Sequence, residues 1–134
     1  MFVWDVRTAQ PAQMFVGHAR DVNSVDFFPD GSAVASGSDD ATCRLFDLRA
    51  NRELAVYSHG TDHAGVTSVA FSKSGRVLVS ASEDNHAQLW DTLRSERIGL
   101  LQGHDARIAS VRVSPAGNAV ATGGWDAKVL VWGI

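Results

Sequence analysis

An aromatic residue followed by Asp punctuates this 134-residue chain at Trp4-Asp5, Phe46-Asp47 and Trp90-Asp91, with a degenerate Trp132-Gly133 near the end. The intervals are 42, 44 and 42 residues. A self-similar period of that length constrains the fold more than any composition, because each copy must be one supersecondary unit that buries its apolar face only against its neighbours. Three further markers keep the same register. A His sits upstream of each later dipeptide, in Gly17-His18, Ser58-His59 and Gly103-His104. An Asp lies six residues before the aromatic, at Asp40, Asp84 and Asp126. A Ser or Thr lies four residues before that Asp, at Ser36, Ser80 and Thr122.

Between the markers the residues alternate as half-buried strands do. The first copy reads as Val22–Phe28, a Pro29-Asp30-Gly31 turn, Ala33–Ser38, Cys43–Asp47 and an outermost Leu54–Ser58. The second reads as Val66–Ser72, a Lys73-Ser74-Gly75 turn, Val77–Ser82, Ala87–Asp91 and Ile98–Gln102. The third gives Ile108–Ser114, Pro115-Ala116-Gly117, Ala119–Gly123 and Val129–Trp132. No apolar stretch keeps a helical period, so the expected class is all-β. The balance of 45% hydrophobic and 20% charged residues with a net charge of −3 is that of one globular unit. It offers no basic stripe, which argues against nucleic acid and anionic membranes as partners. Cys43 is the single cysteine and fits a reducing compartment. No run is apolar enough to span a bilayer and the first residues have no signal-peptide pattern. The expected location is the cytoplasm.

The recurring polar residues form a chain by chemistry. The turn Asp accepts from the imidazole, the ring meets the Ser or Thr hydroxyl, and the hydroxyl takes the indole N–H of the Trp. The expected sets are Asp126, His104, Thr122 and Trp132, then Asp84, His59, Ser80 and Trp90, then Asp40, His18 and Ser36. Phe46 offers no N–H, so the last set stops at its hydroxyl. His63 competes with His59 in the second set, where three extra residues intervene; His59 is favoured because it follows an outer strand. Ser, His and Asp together also suggest a nucleophilic triad. Catalytic sites are rarely triplicated in register, so the structural reading prevails and no enzyme is expected. Histidines about 40 residues apart and a lone Cys43 give no zinc spacing, and no metal or cofactor is expected. Gly123-Gly124 marks a strand end with a bulge.

These are the marks of WD-type propeller blades. Trp4 holds a third-strand position without the strands that should precede it, so residues 1–11 read as the end of a truncated blade and 12–47, 54–91 and 98–134 as three repeats of a single unit. Closed propellers have 4–8 blades, so the chain is expected to be part of a longer protein or to complete a ring by association with other chains. The stretch Gly37-Ser38-Asp39-Asp40-Ala41-Thr42-Cys43-Arg44-Leu45-Phe46-Asp47-Leu48-Arg49-Ala50 closely resembles heterotrimeric G-protein beta subunits, the Phe for Trp included. So do Phe27-Phe28-Pro29, Thr67 to Arg76, Ala119 to Gly123 and Trp125-Asp126. Val3 to Thr8 and Arg112-Val113-Ser114-Pro115 are nearer to the divergent beta subunit that pairs with G-gamma-like domains. Ser82 to Ala87 and Gly133-Ile134 depart from the family's text.

The resemblance spans the chain and implies the C-terminal three-sevenths of a seven-bladed, non-catalytic scaffold in G-protein-coupled signalling. Its upper face would bind a G-alpha subunit and competing effectors through Asp21, Asn23, Asp39, Arg107 and Trp125, with Glu83 beside Asp39 as a weaker candidate. It would act in the cytoplasm and, through partners, at the inner face of the plasma membrane. The family holds its gamma partner with an N-terminal helix and early blades that this chain does not contain, so gamma binding is not expected beyond a lateral contact. Asp21, Asn23 and Arg107 fall in loops entering an inner strand, while Asp39 and Trp125 precede the turn Asp. Trp125 is either a binding anchor or a packing residue against the next blade. A general WD adaptor recruiting peptides to a complex is the alternative role.

Overall fold

The computed structural model describes residues 1–58 and 64–133, and every regular element among them is a β-strand. A hairpin opens the chain, β1 (Phe2–Asp5) with β2 (Gln10–Met14). The first complete blade is the antiparallel meander β3 (Val22–Phe27), β4 (Ala33–Ser38), β5 (Thr42–Asp47) and β6 (Arg52–Ser58). The second is β7 (Val66–Phe71), β8 (Val77–Ser82), β9 (His86–Asp91) and β10 (Glu96–Gln102). The third has β11 (Ile108–Val113), β12 (Ala119–Gly124) and β13 (Val129–Gly133). The chain is thus all-β, built as blades of a partial propeller.

Each blade is made by the same local chemistry. The first turn of each blade ends on Gly31, Gly75 or Gly117, with φ of 78°, 77° and 78°, a left-handed backbone that a side chain would resist. In the second turn the residue after the marker Asp takes positive φ as well, at Ala41, Asn85 and Ala127. Asp40, Asp84 and Asp126 accept the amides of Thr42, His86 and Lys128 across that turn, which holds the strained residue in place.

Blades stack face to face and divide the core in two. Ala33, Ala35, Cys43, Leu45 and Tyr57 of the first blade meet Val66, Val69, Phe71, Leu78 and Trp90 of the second. Ala70, Val79, Ala81 and Ala87 on the second blade's other face meet Ile108, Val111 and Val120 of the third. Burying a side chain such as Leu78 or Ile108 contributes about 1.5–3 kcal/mol over leaving it in water, so the stack itself is the main source of stability. Polar links tie the inner strands of adjacent blades: Ser24 Oγ accepts the Val69 amide at 3.1 Å, and Ser68 Oγ accepts that of Val111 at 3.1 Å. The hairpin joins the first blade through Phe15 against Phe46, ring centres 4.9 Å apart, and the Gln13 amide on the Leu48 carbonyl at 2.7 Å.

A β-bulge recurs at the start of each inner strand, at Val22/Ser24, Val66/Ser68 and Ile108/Ser110. It leaves Asn23, Thr67 and Ala109 unpaired with the neighbouring strand. The bulge expected of Gly123-Gly124 is therefore carried by the opposite strand, β11.

Candidate functional site

The polar chains are placed first, because they fix the turns that carry the surface residues. In the third blade His104 Nδ1 faces both Asp126 oxygens at 3.0 and 3.1 Å, and its Nε2 meets Thr122 Oγ1 at 2.7 Å. Trp132 Nε1 donates to the same hydroxyl at 3.0 Å, so all four members are joined. In the first blade His18 bridges Asp40 at 2.9 Å and Ser36 at 2.6 Å, and the ring of Phe46 stands edge-on to the imidazole. In the second blade Trp90 Nε1 donates to Ser80 Oγ at 2.8 Å. Asp84 there takes the Ser82 hydroxyl. His59 and His63 both lie outside the described residues.

The turn carboxylates of the first and third blades are electrostatically committed. Burial would raise the Asp40 carboxyl, but donors from Thr42, His18 and Ala19 outweigh it and hold it well below the usual carboxylate range. For Asp126 desolvation is likewise outweighed by the amides of Asp105 and Lys128 and by His104, which lower it to about 2. Ser36, Ser80 and Thr122 are fully buried. A hydroxyl closed off in this way, and in two blades accepting an indole N–H, holds strands together and cannot reach a substrate. Burial also pushes the Cys43 thiol up to about 12, which leaves it an inert core residue.

Just outside these chains the surface candidates form one line across the blades. Asp39 donates its amide to the Asp21 carbonyl at 3.0 Å. Asn23, aimed by its bulge, donates its side-chain amide to Asp39 Oδ1 at 2.7 Å and to the Val66 carbonyl of the second blade at 2.9 Å. Asn23 therefore lies in β3, not in the loop before it, and holds two blades in alignment. Gly65 comes next. A Cβ there would stand 2.9 Å from Asp39 Oδ1 and 3.4 Å from the Glu83 carboxyl carbon, so a larger residue would displace the Asp39 carboxylate. Glu83 pairs with the Arg107 guanidinium at 3.4 Å, and Arg107 lies over the Trp125 ring at 4.4 Å from its centre. Trp125 is 69% exposed, so it is not packed between blades. The five residues expected at the face thus share one end of the stack. Gly65 and the stacking of Arg107 on Trp125 had no local sequence signal, because each depends on contacts between blades or between turns.

The opposite end is chemically different. A cavity of about 350 Å³ lies there between the first two blades, lined by Phe28, Ala33, Leu45, Leu54, Ala55 and Leu93, with three hydroxyl side chains and no titratable group. Among the described residues no cluster of His, Cys, Asp or Glu could hold a metal ion.

Comparison with known proteins places this arrangement. Residues 1–133 match the sequence profile described as G protein beta WD-40 repeat protein. Guanine nucleotide-binding protein subunit beta-5b of Danio rerio is 49% identical over 174 aligned positions, covering 97% of this chain and 44% of the relative. The beta subunits of Zea mays and Oryza sativa subsp. indica are 45% and 44% identical, each covering 97% of this chain and 37% of the relative. The chain therefore spans less than half the length of these relatives.

Proposed function

The chain belongs to the G protein beta WD-40 repeat family, and from that membership we propose that it is a non-catalytic signalling scaffold. In this reading a G-alpha subunit, and effectors competing for the same surface, bind the turn face that runs from Asp21 to Trp125. The observation that carries the proposal is the line of Asp21, Asp39 and Asn23, then Gly65, then Glu83, Arg107 and Trp125 across three blades. Trp125 supplies the exposed aromatic anchor of such a site and Arg107 orients it, while the carboxylates of Asp21 and Asp39 give the face its polarity. The buried hydroxyls of Ser36, Ser80 and Thr122 support a non-catalytic role. The scaffold would work in the cytoplasm and reach the inner face of the plasma membrane through its partners.

The test is biolayer interferometry of immobilised chain against GDP-loaded G-alpha subunits. Trp125→Ala is expected to weaken binding at least about tenfold, the scale of a hot-spot residue, and Asp21→Ala to weaken it less. Neither exposed residue should shift the melting temperature. A well-folded chain that binds no G-alpha subunit would overturn the reading and leave a general WD adaptor.

A further inference from the structure

The three blades build the turn face from equivalent pairs of residues, and the middle pair is unlike the others. The Asp39 amide donates to the Asp21 carbonyl, the Glu83 amide to that of Gly65 and the Trp125 amide to that of Arg107, at 3.0, 3.0 and 2.9 Å. Gly65 therefore holds the position that carries a charged side chain in the first and third blades. Its backbone does not ask for glycine, because the described glycines with positive φ are Gly31, Gly75 and Gly117. The constraint comes from the neighbouring blade. A Cβ on Gly65 would stand 2.9 Å from Asp39 Oδ1 and 3.2 Å from Asp39 Cα. Asp39 cannot retreat as a whole, since its amide is tied to Asp21, so its carboxylate would swing away.

That carboxylate is held from its other side by Asn23. The Asn23 side-chain amide has two protons and both are used, one on Asp39 Oδ1 at 2.7 Å and one on the Val66 carbonyl of the second blade at 2.9 Å. The other two bulge residues do not repeat this. Thr67 directs its single hydroxyl proton to backbone carbonyls, and the Ala109 side chain has no donor. Asp39 thus leans over the junction of the first two blades with one of its oxygens fixed before any partner arrives. Holding an otherwise mobile charged side chain in place lowers the ordering cost that binding must meet.

We propose that Gly65 and Asn23 are positioning residues of the partner face, which together fix the Asp39 carboxylate across the junction of the first two blades in the orientation that a G-alpha subunit meets. The proposal rests on the reading that this face binds G-alpha. Gly65 contributes by having no side chain, and Asn23 by turning both amide protons inward rather than toward the partner. Recognition at the first blade then depends on the backbone of the second.

A double-mutant cycle in the interferometry assay tests this with Gly65→Ala, Asp39→Ala and the double variant. Gly65→Ala is expected to weaken G-alpha binding roughly two- to tenfold, the scale of ordering one side chain. On the Asp39→Ala background it should change nothing, because no carboxylate remains to be moved. A purely structural effect would persist in that background. Asn23→Ala frees the same oxygen from the other side and should weaken binding by a similar factor, so the test does not hang on one variant folding. Independently of any partner, the Asn23 side-chain amide of the free chain should exchange its protons slowly in nuclear magnetic resonance, and faster in Gly65→Ala and Asp39→Ala. Parental binding by Gly65→Ala, factors that multiply in the double variant, or an Asn23 amide that Gly65→Ala leaves unchanged would each overturn the proposal. If the parent binds no G-alpha subunit, the functional reading falls and the amide exchange alone decides the positioning.

Discussion

Thr122 shows how much one atom can be asked to do. With the ring proton on Nδ1 toward Asp126, His104 Nε2 accepts the Thr122 hydroxyl proton, and the same oxygen accepts from Trp132. Thr122→Val keeps the shape, removes both bonds and leaves an indole N–H and an imidazole nitrogen unpartnered. It should cost about 1–3 kcal/mol in urea denaturation. Ser36→Ala should cost less, because Phe46 brings no N–H to that oxygen. The acids set a pH limit. Asp126 is lowered from 3.8 to about 2, so its contribution is fully present above the unfolded value and is lost as pH falls toward the folded one. Stability should therefore decline between about pH 5 and pH 2, and Asp126→Asn should flatten that decline, as read from denaturation midpoints across the range. The members of the first and third chains were legible in the sequence because identical offsets recurred. Trp125 was less so: a binding anchor was the favoured reading with packing against the next blade as the alternative, and its exposure and the position of Arg107 over the ring place it at the surface.

The strands were legible to within one or two residues, since alternation and Gly-bearing turns mark both their faces and their ends. Val66–Phe71, for example, was expected to run one residue further, to Ser72, whose hydroxyl instead accepts the Val77 amide in the turn. The bulges were not legible, because no glycine or other special residue marks Asn23, Thr67 or Ala109. They arise from fitting inner strands to a twisted stack, and they turn Asn23 and Thr67 toward the adjacent blade, where each donates to a backbone carbonyl. Gly37 and Gly123 occupy the same register yet face different surroundings. A Cβ on Gly37 would lie 2.6 Å from Val66 Cγ1, whereas nothing stands within 4 Å of one on Gly123. Gly37→Ala should destabilise by about 1–3 kcal/mol through overpacking. Gly123→Ala should be neutral or stabilising by up to about 1 kcal/mol. Paired thermal melts distinguish the two.

At the scale of the molecule, stacking brings turns that are 44 and 42 residues apart in sequence, at Asp40, Asp84 and Asp126, to the same end. The repeat predicts that alignment, but the links along it, Asn23 to Val66, Gly65 between Asp39 and Glu83, and Glu83 to Arg107, exist only once the blades are packed. The apolar cavity at the far end was equally invisible, being shared by turns of two blades. The two ends make the central claim directly measurable by hydrogen exchange of the chain with and without GDP-loaded G-alpha. The account predicts protection confined to the loops around Asp21, Asp39, Glu83, Arg107 and Trp125. Protection at the opposite turns around Gly31, Gly75 and Gly117, or none at all with a well-folded chain, would contradict it.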